Sequence, residues 1–469
     1  MAKILLVNPP LTSEELYKRG AKGTASIIPP LGLAFLAAVL EKKGHTVNII
    51  DGIALDISIE DIVNDIKDFD FVGITVLSSF FKRCIELIEK IKRVSSVVII
   101  AGGAHATAMP LSLLEKGVDY VVMGEGEDTI DELIGALVNK SSLNIAKIKG
   151  IAFIRDGKML ITERRSLIVN LDNLPIPARH LLPMKKYKTS EARANRNPSH
   201  SMIVSRGCKG VCTFCFKGSF GIEFRCLSPK RIVDEMFVLR DVYGAKEISF
   251  WDDSFTTDRN TVISVCNLLT EKKLGIPWSC EARIDTVDED MLRIMKRAGC
   301  EFIAYGIESG SDRVLRSVNK KINTEMITRT IRNTQVIGIP IRGYFVLGFI
   351  GETEEEMYQT IRFACFLNID IATFTLLVPY PGSADYIRAQ KEGSFDSDFF
   401  RKKIVPEFNF LDDPIYCPKG LSSKRLLEIH KDAYRQFYYR PSFIFKEILK
   451  IRKLQDVRKL LKGARTLLK

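Results

Sequence analysis

No stretch of this chain stays apolar for the 18 residues or more that a membrane-spanning helix needs. The longest candidate, 27–40, carries Pro29, Pro30 and Gly32 and reads as a core helix. A long apolar segment is missing behind Met1, which leads directly into the strand pattern Ile4-Leu5-Leu6-Val7; a secretory signal is not expected and a cytoplasmic location is. Tandem repeats and low-complexity tracts are absent. Histidine is scarce, five in 469 residues, and His45, His180, His200 and His430 show no ligand spacing and read as structural. Acidic residues are few near the end: 440–469 hold 10 Lys or Arg against 2 Asp or Glu, +8 of the chain's net +12. The basic character belongs to the tail, so the body gives no charge argument for nucleic acid, and no nucleic-acid partner is expected.

What is present is an ordinary globular mixture, 46% apolar and 27% charged. At 469 residues the chain exceeds a single core, and two or three domains are expected. Ten cysteines in a cytoplasmic chain point to metal ligands or core positions before disulfides. Three cluster, at Cys208, Cys212 and Cys215; the other seven are scattered singly.

Strand patterns at 4–7, 47–50, 71–76, 97–100 and 120–123 alternate with helical ones such as 31–43 and 82–92. Such alternation predicts a doubly wound α/β domain over 1–145, with ligands outside the carboxyl ends of its strands. Runs at 151–154 and 159–161 flank Asp156-Gly157, a hairpin signal, and a proline-rich connector completes 146–195. Strand patterns at 202–204, 247–250, 278–281, 302–306, 343–347 and 372–378 then give six βα units over 196–389, a partial barrel with reactive groups after its strands. The remainder, 390–469, reads as helical. Ile444, Ile448, Ile451, Leu454, Val457, Leu461, Ala464 and Leu468 form one apolar stripe on a basic helix. That helix packs on the body or lies on an anionic membrane surface.

The strongest local signal is Cys208-Lys-Gly-Val-Cys212-Thr-Phe-Cys215, directly after the first barrel strand. Three thiolates within eight residues suit one iron–sulfur cluster; a cubane takes four ligands, so three leave one iron open. A zinc site would add a fourth Cys or His nearby, and none occurs in the next ten residues. Trp251-Asp252-Asp253-Ser254-Phe255, Glu281-Ala282-Arg283-Ile284-Asp285, Gly306-Ile307-Glu308-Ser309-Gly310 and Leu347-Gly348-Phe349-Ile350-Gly351-Glu352 end later barrel strands.

Together these segments resemble the radical S-adenosylmethionine (SAM) superfamily, in the branch with methylthiotransferases and cobalamin-binding enzymes. The resemblance implies that Cys208, Cys212 and Cys215 hold a [4Fe-4S] cluster whose open iron takes SAM, and that one electron cleaves SAM to a 5′-deoxyadenosyl radical. It implies an external one-electron donor of flavodoxin or ferredoxin type. Arg283 is the candidate partner of the SAM carboxylate, Glu308 of the ribose hydroxyls, and Asp252 or Asp253 of the methionine end or substrate. Gly348 and Gly351 would let backbone approach adenine. The ordinary alternatives are helix caps or surface pairs for the acids and plain turns for the glycines.

The first domain is similar to the cobalamin-binding domain upstream of such barrels. The resemblance rests on Pro29-Pro30-Leu31-Gly32, Gly73-Ile74-Thr75-Val76-Leu77, Ala101-Gly102-Gly103-Ala104-His105 and Gly124-Glu125-Gly126-Glu127. It implies cobalamin contacts at Thr75, Leu77, Ser78, Gly102, Gly103, His105, Gly124 and Glu125. One departure stands out: many cobalamin domains carry Asp-x-His-x-x-Gly after the first strand, with the His on cobalt, and here that position reads Asn8-Pro9-Pro10. A radical SAM enzyme with cobalamin that methylates an unactivated carbon of a small-molecule or lipid substrate is the function implied. The alternatives are a radical cyclase or oxidoreductase resembling the anaerobic magnesium-protoporphyrin ester cyclases, and a corrinoid-binding module with an inactive barrel.

Overall fold

The computed structural model describes residues 1–12, 15, 26–139, 145–189, 196–392, 395–396, 398–405 and 414–449. Strands β1 (Lys3–Asn8), β2 (Thr46–Asp51), β3 (Phe71–Thr75), β4 (Val98–Gly102) and β5 (Tyr120–Val122) lie parallel in the order β2-β1-β3-β4-β5. Their apolar runs are continuous because helices cover both faces. Leu31–Lys42 and Glu127–Val138 bury Leu33, Leu40, Leu133 and Ile134 on one side, and Ile59–Asp65 and Phe81–Val94 bury Ile62, Phe81 and Ile88 on the other. Helix Phe81–Val94 buries Cys84, Leu87 and Ile91, spaced by three or four, and turns its lysines outward. The winding reverses between β1 and β3, which opens a crevice at the carboxyl edge.

The hairpin forms β6 (Ile151–Arg155) and β7 (Lys158–Ile161), with Asp156 and Gly157 both at positive φ in the turn. It is not isolated in the connector: β6 pairs antiparallel with β5, extending the first sheet to seven strands. The connector itself runs in short 3-10 turns. Its buried Arg179 reaches Glu235 of the helix Pro229–Asp241 at 2.9 Å.

The second sheet is parallel throughout, in the order β15-β14-β13-β12-β11-β8. Its strands are β8 (Ser199–Met202), β11 (Glu247–Phe250), β12 (Trp278–Arg283), β13 (Cys300–Glu308), β14 (Ile341–Leu347) and β15 (Ile371–Leu376). With neighbours in chain order and no reversal, it is a half barrel. The first strand lies earlier than the 202–204 pattern suggests. Beyond Met202 the chain turns onto the Asp252 carboxylate, then β9 (Ser205–Arg206) pairs antiparallel with β10 (Arg225–Cys226). Cys280, Tyr305, Phe345 and Phe374 are buried in the barrel's main core, while Ser279, Glu281, Tyr344, Thr373 and Thr375 at alternate positions carry polar groups. Ser249 and Ser279 hydroxyls lie 3.0 Å apart, and Tyr344 donates to Glu281 at 3.1 Å.

Edge strand β15 would expose unpaired backbone. Helix Ser423–Tyr438 covers it: the Tyr434 hydroxyl donates to Phe374 O at 3.0 Å and accepts from its N–H at 3.2 Å, and Tyr438 treats Ala372 the same way. Helix Pro441–Leu449 follows, held by Lys446 to Asp370 at 3.0 Å, with Ile444 and Ile448 exposed. The rest of the apolar stripe, from Ile451 on, lies outside the described residues. No helix among the described residues is long and apolar enough to cross a membrane.

Candidate active site

The cysteine loop is pinned at its neck. Between β9 and β10 it leaves through Gly207, at φ +82°, where a Cβ would lie 2.1 Å from Glu223 O. Asp252 Oδ1 accepts from Val204 N, Ser205 N and Ser205 Oγ at 2.9, 2.5 and 2.7 Å. Burial pushes the Asp252 carboxyl up to about 7. Asp252 thus braces the start of the loop, whereas Asp253 is exposed. Cys208 and Cys212 are 5% and 7% exposed and Cys215 is half-buried; none is in a disulfide. Burial pushes the Cys215 thiol up to about 12, so holding it as thiolate needs a cation or metal. Among the described residues no three His, Cys, Asp or Glu side chains converge as a site for one metal ion requires.

Cationic side chains stand beside these sulfurs. Arg283, at the end of β12, places Nη1 3.8 Å from Cys212 Sγ, forks onto Asp285 with two 2.8 Å contacts and donates to Lys320 O at 3.0 Å. Gly210 makes room for it, since a Cβ there would lie 2.7 Å from Arg283 Nη1. Glu308 ends β13 at φ +71° and accepts from buried Lys320 at 2.6 Å. Burial pulls the Lys320 ammonium down, but Glu308 and Cys212 more than offset it and hold it above its ordinary value. Arg283 and Glu308 therefore sit at the cluster loop already engaged, and a ligand would compete with Asp285 and Lys320. Lys320 itself lies in a loop and carries no recognisable motif.

The loop after β14 completes this side. Gly348 and Gly351 have φ of +82° and +76°, and Glu352 Oε2 accepts from Gly348 N and Phe349 N at 2.6 and 2.9 Å. Burial pushes the Glu352 carboxyl up to about 8. Phe214, just before Cys215, packs on Phe349 with ring centres 5.4 Å apart, which joins the two loops.

In the first domain, Thr75, Gly102, Gly103 and Gly124 are partly exposed and Leu77 is exposed, all at the carboxyl edge. Gly103, at φ +114°, packs so closely that a Cβ would lie 2.8 Å from Val76 O. This gives a crevice walled by backbone, which suits a bulky ligand tail. Ser78 and His105 are buried beside one another. The His105 ring stacks on Phe81 at 3.8 Å, with Nδ1 2.9 Å from Ser78 Oγ and Nε2 3.4 Å from Ser112 Oγ. Burial, helped by Arg401, pulls this imidazole down to about 4. Asn8, where the ligating motif would begin, bonds the buried Asp51 at 2.9 Å.

Glu125 is likewise buried, in an ion-pair network. It is 6% exposed and accepts from Arg206 at 2.9 Å, from Arg225 at 2.8 and 2.9 Å, and from Ile168 N at 2.7 Å. Glu127 holds the other side of the Arg206 guanidinium. Arg206 and Arg225 are the facing residues of β9 and β10, so this buried network fastens the neck of the cysteine loop to the first domain. Arg206 also lies over the rings of Phe35 and Phe220, at 5.6 and 5.2 Å. Glu125, a candidate cofactor contact, has its carboxylate committed to counterions 81 and 100 residues downstream.

A doubly wound domain with a backbone-walled crevice, clamped to the three-cysteine loop of a half barrel, defines a radical SAM enzyme with a cobalamin-binding domain. The chain belongs to that family. Residues 22–134 match the B12 binding domain and residues 202–364 the radical SAM superfamily, so its cofactors are cobalamin, a [4Fe-4S] cluster and SAM. It is 36% identical to an uncharacterized methyltransferase of Pyrococcus horikoshii over 95% of this chain and 94% of that protein. It is 30% identical to the cytidylyl-2-hydroxyethylphosphonate methyltransferase of Streptomyces wedmorensis, over 84% and 83% of the two. The anaerobic magnesium-protoporphyrin IX monomethyl ester cyclase of Rubrivivax gelatinosus is 27% identical, over 91% and 77%. The fold matches two solved structures at 18% identity. They are the methyltransferase TsrM from Kitasatospora setae (TM-score 0.69; 94% and 90% covered) and the cobalamin-dependent enzyme OxsB (TM-score 0.75; 100% and 72%).

Proposed function

We propose that this chain is a cobalamin-dependent radical SAM methyltransferase that methylates an unactivated carbon of a polar small molecule. The carrying observation is the clamp of Glu125 and Glu127 on Arg206 and Arg225, which brings the cysteine loop to the carboxyl edge of the first sheet. When bound, the cofactors supply the radical and the methyl group, which protein acids and bases cannot generate at such a C–H bond. The chain's residues position and shield. Cys208, Cys212 and Cys215 would hold the cluster, with Arg283 and Lys320 as positive neighbours of the sulfurs. Arg283 would exchange Asp285 for the SAM carboxylate, and Glu308 would turn to the ribose. Gly348 and Gly351 would admit adenine, and Thr75, Leu77, Gly102, Gly103 and Gly124 would line the corrinoid crevice. Asp252 would act by bracing the loop. The partly exposed Glu281–Tyr344 pair favours a hydrogen-bonding substrate over a lipid.

The test is anaerobic reconstitution with iron, sulfide and hydroxocobalamin, desalting, then a visible spectrum and iron assay. Retained corrinoid beside a full cluster supports the reading; a cluster without corrinoid ends methyl transfer through cobalamin. A second reading, ring closure or oxidation, is favoured by the cyclase relatives. The chain spans only 69–77% of two of them, against 94% and 83% of the two methyltransferases. SAM carrying a labelled methyl group separates the two, since a cyclase product would carry no label. Membrane contact through 440–469 is the remaining proposal on partners; unchanged liposome binding after deleting that tail would remove it.

A further inference from the structure

We infer that the outer lip of the cysteine loop is the docking surface for an acidic one-electron carrier protein, an inference that rests on the function proposed above. The lip is built from two touching loops. Thr213 N donates to Val318 O at 3.1 Å, and Arg283 joins Cys212 Sγ on one loop to Lys320 O on the other. The second loop is turned by Asn319 and Lys321, at φ of +53° and +59°, conformations that non-glycine residues adopt at a cost. These turns send Lys320 inward to Glu308 and leave Lys321 exposed beside exposed Arg316. From the cysteine loop, Lys209 is exposed too, and Val211 between the cysteines is 41% exposed.

The outcome is one exposed apolar residue and three exposed cations on two touching loops. Among the described residues no ion pair uses Lys209, Arg316 or Lys321. Of the acids of the same segments, Asp285 and Glu356 are paired with Arg283 and Arg313, and Asp312, which accepts from Thr324 N at 2.8 Å, sets one negative charge against the three cations. The lip is therefore net positive, and it adjoins the cysteines: Val211 lies between Cys208 and Cys212 in sequence, and both are almost wholly buried. Electron-transfer encounters are small and short-lived, and a few charges around one apolar contact suffice to steer them. The opposite end of the loop is unavailable. A Cβ on Gly382 would meet the Phe216 ring at 2.4 Å and Ala108 of the first domain at 3.2 Å, so that end is closed by the domain contact. The step is one-electron: the carrier loses one electron and the cluster gains it, with no bond made or broken.

The experiment uses reconstituted holoenzyme and an acidic flavodoxin hydroquinone, with bleaching of the cluster followed by stopped flow. Photoreduced deazariboflavin, small and neutral, is the reductant that needs no docking. For the wild type, the flavodoxin rate should fall steeply with added salt and the deazariboflavin rate should not. The triple variant K209Q/R316Q/K321N should be reduced at least tenfold more slowly by flavodoxin at low salt and at the wild-type rate by deazariboflavin. Carbodiimide coupling should join flavodoxin carboxylates to Lys209 and Lys321. A salt-independent wild-type rate, or a variant as fast as wild type with flavodoxin, overturns the docking site. Failure of deazariboflavin to bleach the wild-type cluster would instead overturn the catalytic reading.

Discussion

Replacing Glu125 by Gln should undock the two halves of the molecule while leaving each folded. The carboxylate accepts four hydrogen bonds, three from two guanidinium groups, at 6% exposure. Gln keeps the shape but removes the charge and turns one acceptor into a donor facing a cation. Breaking a buried ion pair from one side costs about 3–5 kcal/mol, because the partner charge stays buried and unpaired. If all of it falls on docking, the docked population drops roughly 150- to 4,000-fold relative to the undocked one. Glu127 remains on Arg206, so the lower end is expected. The assay is urea unfolding followed by fluorescence and by limited proteolysis near Cys208. Wild type should unfold in one transition, whereas E125Q should show an early phase in which the cysteine loop is cleaved. R206K is the companion, since a lysine cannot span Glu125 and Glu127 as the guanidinium does. An E125Q protein that unfolds in one transition within 0.5 kcal/mol of wild type would refute the clamp.

Alanine at any one of Cys208, Cys212 or Cys215 should reduce reconstituted iron to near zero with circular dichroism unchanged; full iron in any of them would exclude that thiol as a ligand. Gly103→Ala should cost about 1–3 kcal/mol and lose bound corrinoid, because its Cβ would strike Val76 O at 2.8 Å from a φ of +114°; retained corrinoid after desalting would argue against this wall. Asp252 and Glu352 have folded values of about 7 and about 8 against ordinary ones of 3.8 and 4.5, so the folded chain holds extra protons between these limits. Stability should therefore be greatest at the acid end of that window and fall as pH rises towards 8. The variants D252N and E352Q should flatten the fall in denaturation midpoints measured at pH 5 and 8, and an unchanged slope would remove the burial argument.

The parallel strands are legible because burial on both faces writes continuous apolar runs: the 247–250 pattern coincides with its strand, and the 71–76 pattern differs from its strand by one residue. The cysteine loop was legible because its chemistry lies in eight consecutive residues. What the sequence concealed is direction and distance. A histidine two residues beyond a glycine pair reads as facing a ligand, yet Gly103 begins a helical turn that carries His105 round onto Phe81 and between two serines. The same holds for Gly124-Glu125-Gly126-Glu127. An acid at the carboxyl end of a parallel strand has the same local pattern whether it meets a cofactor or an arginine of the next domain. Only the burial of Arg206 and Arg225 beside it decides. Lys320 is the converse case. It sits in a loop with ordinary composition, but the left-handed residues on either side of it, Asn319 and Lys321, turn it inward to Glu308. Asn is a familiar left-handed residue and Lys is not. The pair Lys320-Lys321 thus divides its charges between the cluster side and the surface, a division that spacing alone does not reveal.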